Sequence, residues 1–134
     1  AYARYIAKNY KGNNKEILVS LANRITDGLE SIRDDLAVKV DETIKVKLLV
    51  QTMRPMVDTI ESFGILEQRL KVGVTAYEQS SIYPLTEAIK GQFGKIVLTY
   101  ETNDRNEAIS LIDNLINDLL PEWIRGINNI FDEA

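Results

Sequence analysis

The chain contains no cysteine and no histidine, and these two absences remove much of the chemistry a small protein can perform. Without cysteine there is no disulfide framework and no thiolate nucleophile or ligand, so packing alone must hold the fold. Without histidine there is no imidazole general base, no Ser-His-Asp or Cys-His arrangement, and no His-ligated haem or zinc. The Glu-x-x-His pairs of a ferritin-like di-iron bundle are excluded by the same absence. Nor does any run reach the roughly eighteen apolar residues of a membrane span, because Lys, Gln or Asp interrupts the longest stretches. Direct membrane insertion is not expected.

A basic surplus is also lacking, since 16 Lys and Arg stand against 20 Asp and Glu for a net charge of −4. Binding a nucleic-acid backbone or an anionic membrane surface calls for clustered cations, so neither is expected as the main partner. Gly91 and Gly94 have the spacing of half a phosphate loop but lie within a helical pattern with no strand before them. An all-carboxylate metal site is the one metal chemistry the composition leaves. Asp27, Asp34, Asp58, Glu61, Glu87 and Asp118, however, fall outside or at the margins of the apolar stripes, where acids serve as solvated surface. Asp34-Asp35 and Asp41-Glu42 gather at a turn and read as caps and solubilising charge. The chain is therefore expected to hold no cofactor and no metal, and not to be an enzyme.

What is present is helical periodicity. At 134 residues, with 45% hydrophobic and 27% charged residues, the composition is that of one globular domain spanning 1–134. A chain of this size buries roughly 70% of its unfolded surface, enough for its own core. Beginning at Ala1 without Met, it reads as a domain cut from a longer protein. Residues 1–10 place Tyr2, Tyr5, Ile6 and Tyr10 on one side of a short amphipathic helix, a strap that needs tertiary contacts to persist. From residue 14, Ile17, Leu18, Leu21, Ala22, Ile25, Leu29, Ile32 and Leu36 follow the i, i+3, i+4 rule, with Gly28 beside them as a site for close approach of a neighbouring backbone. Residues 38–41 break the period, and Asp41 can cap a third helix over 42–63, carrying Ile44, Leu48, Leu49, Met53, Met56, Val57, Ile60 and Phe63. Pro55 predicts a kink near Thr52, and Gly64 either ends this helix or lets it run on toward Gly73.

Ser80 or Ser81 can cap the next helix, over 82–100, with Pro84 in its tolerant first turn. Leu85, Ile89, Phe93, Ile96, Val97 and Tyr100 form its stripe. The short turn Thr102-Asn103-Asp104 forces an antiparallel partner, residues 104–131, for which Asp104 is the N-cap and Glu107 the residue that reaches back. The fold expected is all-α: an antiparallel up-down four-helix bundle of two αα-hairpins plus a short N-terminal helix. The hairpins resemble each other loosely, Gly28 and Pro55 in one matching Gly91 and Pro121 in the other.

On a regular wheel the apolar arc of the last helix, from Leu111 to Ile124, is roughly 220° wide. Either that helix is central and touches three neighbours, including the tyrosine-bearing strap, or one edge of it receives another chain. Leu120, Trp123, Ile124 and Phe131 are the candidate partner-binding residues on that edge, with Pro121 shaping a groove and Trp123 as its anchor.

The stretch Ile96-Val97-Leu98-Thr99-Tyr100-Glu101-Thr102-Asn103-Asp104, then Leu111, then Pro121-Glu122-Trp123-Ile124-Arg125-Gly126-Ile127 is similar to the final helical hairpin of the flagellin-specific export chaperones of bacteria. The tyrosine-bearing opening segment ahead of a small acidic bundle resembles that family too. The resemblance implies binding of an unfolded or helical flagellin-like client in the cytoplasm, without catalysis. Pro55 and Pro121 depart from the family's pattern, and its opening motif is missing. The leading expectation is thus a chaperone- or adaptor-like domain that binds another protein along an apolar groove. The alternative is an extracytoplasmic sensory or ligand-binding bundle of a membrane receptor, for which membrane spans would flank this stretch in the full-length gene.

Overall fold

A computed structural model describes residues 15–38 and 42–132, with side chains over 15–38 and 49–131. The tyrosine-bearing opening segment, the Asp41 cap, and the side chains of Ile44 and Leu48 lie outside the described residues. The elements are α1 (Lys15–Leu36), α2 (Glu42–Gly73), a 3-10 turn (Tyr77–Gln79), α3 (Ile82–Glu101), α4 (Arg105–Asn114), a π-helical turn (Leu115–Leu119) and α5 (Leu120–Asp132). Among the described residues there is no strand, and no helix is long and apolar enough to cross a membrane. The chain is an all-α bundle of two antiparallel hairpins, α1–α2 and α3 with the α4–π–α5 run.

Helix α1 buries Leu18, Leu21, Ala22, Ile25, Leu29, Ile32 and Leu36, the stripe its spacing dictates. Each such Leu or Ile removed from water contributes about 1.5–3 kcal/mol before conformational entropy is set against it. Helix α2 runs through both Pro55 and Gly64 to Gly73, past the earlier of the two ends its sequence allows. Ile65, Leu66 and Leu70 continue the apolar period beyond Gly64, and burying Leu66 and Leu70 outweighs the roughly 1 kcal/mol that an interior glycine costs. Pro55 is exposed on α2, away from the core, and the Thr59 hydroxyl donates to its carbonyl at 2.8 Å.

The connection between hairpins departs from the expected caps. Ser81 sits at the N-cap of α3, as the sequence allows, but its backbone is helical and its side chain makes no capping bond; the Ser80 hydroxyl donates instead to the Tyr77 carbonyl. At the far end of α3 the expected cap forms: Asp104 accepts from the Glu107 amide at 3.1 Å. The reciprocal half of a capping box does not, because the amide of Asp104 is donated to the Thr99 carbonyl at 2.8 Å. Arg105 then reaches across the bundle, its Nη1 donating to the carbonyls of Leu36 and Val38 and so satisfying the C-terminal end of α1.

The π-helical turn accounts for the wide apolar arc of the last helix. The Leu120 amide bonds the Leu115 carbonyl, five residues back, directly before Pro121. Proline lacks the amide that would continue the ladder and clashes with the carbonyl four residues back, and a widened turn relieves both. It also inserts one residue into the register. On a regular wheel the buried residues after the turn, Leu120, Trp123 and Ile127, lie roughly 70° round from Ala108, Ile112, Leu115 and Ile116. The extra residue brings the two sets onto one face. The arc is two ordinary stripes joined out of phase.

Candidate functional site

The edge of the last helix that its sequence marks for a partner is largely interior. Leu120 and Trp123 are 0% exposed, while Ile124 and Phe131 are half-buried and packed against the core. The Trp123 indole packs at a tilt of 40° against Phe63 of α2, centroids 4.9 Å apart, and Phe63 meets Phe93 of α3 edge-on at 5.5 Å. Its Nε1 donates to Thr86 Oγ1 at 2.8 Å, and Thr86 donates to the Ile82 carbonyl, so the indole's polar atom is satisfied inside the protein. One turn further on, Gly126 lets α5 close on α3: a Cβ there would stand 2.6 Å from Ile82 Cγ2. These contacts make Leu120 and Trp123 core residues rather than a receiving surface.

The apolar surface that stays open is elsewhere, between α2 and α3. Although consecutive in the chain, these two helices make the sparsest contact of any neighbouring pair around the bundle. They meet through Phe63 and Phe93, through a 2.7 Å bond between the hydroxyls of Thr52 and Tyr100, and through Lys90 and Glu67 at 3.3 Å. Above these contacts lies a groove with two connected spaces. One, of about 340 Å³, is lined by Ile60, Phe63, Gly64, Glu67, Lys90, Phe93, Gly94 and Val97. The other, of about 240 Å³, shares Ile60 and Val97 and adds Met53, Met56, Val57, Tyr100 and Glu101.

The groove owes its shape to what its residues lack. Gly64 and Gly94 line opposite walls, and a Cβ at either would meet nothing within 4 Å. Met53, Val57 and Val97 are each more than 40% exposed, and Val50 and Leu98 nearby are more exposed still. Both methionines of the chain, Met53 and Met56, line it, and their unbranched thioethers adapt to varied apolar partners. From Met53 to Glu67 the α2 wall is fifteen residues with a rise of about 21 Å, the length of a four-turn helix.

One charged residue is built into this apolar lining. Glu67 is 5% exposed, and Lys90, the residue that pairs with it, also pairs with Glu87 at 3.4 Å. The Lys90 ammonium loses hydration to burial, yet the two carboxylates outweigh that loss and raise its pKa above the ordinary lysine value. Glu67 carried a sequence signal, four residues after Phe63 and three before Leu70 on one helical face. The exposed carboxylates Asp27, Asp34, Glu61, Glu87 and Asp118 lie where the sequence placed them. Among the described residues no three Asp or Glu side chains gather closely enough to hold a metal ion. A separate, wide recess along α1 is lined mostly by polar and charged residue types, Lys15, Glu16, Ser20, Asn23, Arg24, Asp27 and Asn128, with Val19 among them.

Comparison with protein-family models, with curated proteins and with solved structures finds no match to this chain.

Proposed function

We propose that this domain is a non-enzymatic, chaperone- or adaptor-like protein that holds a segment of a partner protein in the apolar groove between α2 and α3. The observation that carries the reading is the groove itself, about 21 Å long, apolar, walled by two glycines and flanked by exposed Met53, Val57 and Val97. A folded chain that can bury Trp123 completely has no packing reason to leave these residues in water, and contiguous exposed apolar surface marks interaction sites. Helix-in-groove recognition fits its length and apolar lining. The client class implied by the resemblance of 96–104 and 121–127 to flagellin export chaperones, a flagellin-like helical segment, is the first partner to try.

The test uses the two groove methionines as reporters. Displayed amphipathic helices are selected against the domain, and the selected peptide is titrated while the Met53 and Met56 methyl resonances are followed. Both methyls are expected to shift, with binding weakened at least about tenfold in a Val57→Asp, Val97→Asp double variant. Binding that leaves the methyls unmoved, or that is equal in the double variant, would sink the reading. Both substitutions are on exposed positions, so circular dichroism should show the fold unchanged.

A further inference from the structure

We propose that the partner segment seated in this groove is an amphipathic helix of about four turns carrying a Lys or Arg where its apolar stripe ends, against Glu67 and Glu87. This rests on the groove being the docking surface and adds the chemistry of what docks.

The argument is one of charge. At the end of the groove formed by Gly64 and Gly94, Glu67 and Lys90 line the wall and Glu87, half-exposed outside that lining, pairs with Lys90, so a single ammonium serves two carboxylates. Its contacts are long, 3.3 Å to Glu67 and 3.4 Å to Glu87, and its own side chain remains 43% exposed, against 6% for Glu67. Lys71, the nearest cation along the same face of α2, lies one turn beyond Glu67 and forms an ion pair with neither. The site therefore holds one more negative charge than it neutralises, and it holds it next to apolar surface. A docked helix would remove the remaining water, raising the cost of that unbalanced carboxylate. A cation on the incoming helix removes the cost and fixes the register of its apolar residues, whereas an acidic or uncharged end leaves it in place. Glu101, lining the opposite end, adds a further carboxylate. The groove thus discriminates by charge at its ends and by shape along its middle.

Two designed helical peptides of about sixteen residues separate the possibilities, both with leucine at i, i+4, i+7 and i+11, one flanked by Arg at each end and the other by Gln. Calorimetric titration should show the Arg-flanked peptide binding the domain about fivefold or more tightly, an advantage that shrinks with added salt. In a Glu67→Gln, Glu87→Gln double variant the advantage should fall, while the Gln-flanked peptide binds that variant as well as or better than the parent. Equal binding of the two peptides to the parent domain, both still sensitive to Val57→Asp with Val97→Asp, would overturn the charge proposal and leave the groove standing. Insensitivity of both peptides to those groove substitutions would overturn the docking surface itself, and the charge proposal with it.

Discussion

Helix α3 has two seams, one with α5 and one with α2, and each brings aromatic rings and glycine to the contact. The first is closed: Gly126 sits where a Cβ would be 2.6 Å from Ile82 Cγ2, and Trp123 is fully buried beside it. The second is open: at Gly64 and Gly94 a Cβ would meet nothing within 4 Å. The same residue type thus permits close approach in one place and leaves a gap in the other. What decides is whether the facing helix supplies a side chain to fill the space, as Ile82 does and as α2 and α3 do not do for each other above Phe63 and Phe93. Of the two, the closed seam has the tighter packing, and the open one leaves apolar side chains in water.

The largest effect should follow from emptying the closed seam. Trp123→Ala removes the ring that touches Phe63 and strips Thr86 of its donor, and should cost about 4 kcal/mol in chemical denaturation. A loss under about 1 kcal/mol would show that the seam is not the centre of the fold. Gly126→Ala comes next, at about 2 kcal/mol, because the new methyl must push Ile82 or the whole of α5 aside.

The difference between the seams also explains what could be read in advance. The α1 stripe and the Asp104 cap were legible because each depends on neighbours a few residues away, whose spacing is the helix's own. The wide arc on residues 104–131 misled because a wheel at a constant angle assumes unbroken α-helix. The π-helical turn ahead of Pro121 resets the phase, and with it Leu120 and Trp123 move from a suspected edge into the core. The groove was not legible at all. Met53, Val57 and Val97 belong to apolar stripes, and a stripe says which face is apolar without saying whether another helix covers it. Similarly, Gly28 and Gly91 hold corresponding places in the two hairpins' sequences, yet a Cβ at Gly28 would make ordinary contact, 3.5 Å from Thr59 Oγ1, while one at Gly91 would meet nothing within 4 Å. The likeness of the two hairpins, judged by Gly and Pro positions, therefore does not extend to what those residues do.

Alkaline pH should loosen the open seam before the closed one. Burial raises the Tyr100 pKa above the ordinary tyrosine value, against the lowering effect of its bond to Thr52, and burial likewise raises that of Tyr77. The Lys90 pKa is raised by its two carboxylates against the opposing effect of burial. For all three the protonated form is the one the fold prefers. Their contribution is complete below the unfolded values, near 10, and is lost as pH rises through the higher folded values. Tyr100 and Lys90 both tie α2 to α3, so the Met53 and Met56 methyls should report a change above about pH 10 while Trp123 fluorescence remains native. Simultaneous change at both reporters would mean that the seams are not separable.

The smallest effect carries the sharpest comparison, because it uses the same substitution with the opposite sign. Gly64→Ala and Gly94→Ala each add a methyl that meets no atom, in helix interiors where no glycine has a positive φ, so neither clash nor backbone strain opposes them. Each should stabilise the domain by about 0.5–1 kcal/mol through the unfolded chain's reduced freedom, against the loss of about 2 kcal/mol at Gly126. Thermal and urea unfolding of the three single variants suffices to see it. The added methyls also narrow the groove from both walls, so the Gly64→Ala, Gly94→Ala double variant should be more stable than the parent and bind a groove-seated helix less well. If both variants instead destabilise as Gly126→Ala does, α2 and α3 are packed as closely as α3 and α5, and the open seam does not exist in solution. If they stabilise without weakening the helix, the walls are not what the partner touches, and the Met53 to Tyr100 end of the groove must carry the contact alone.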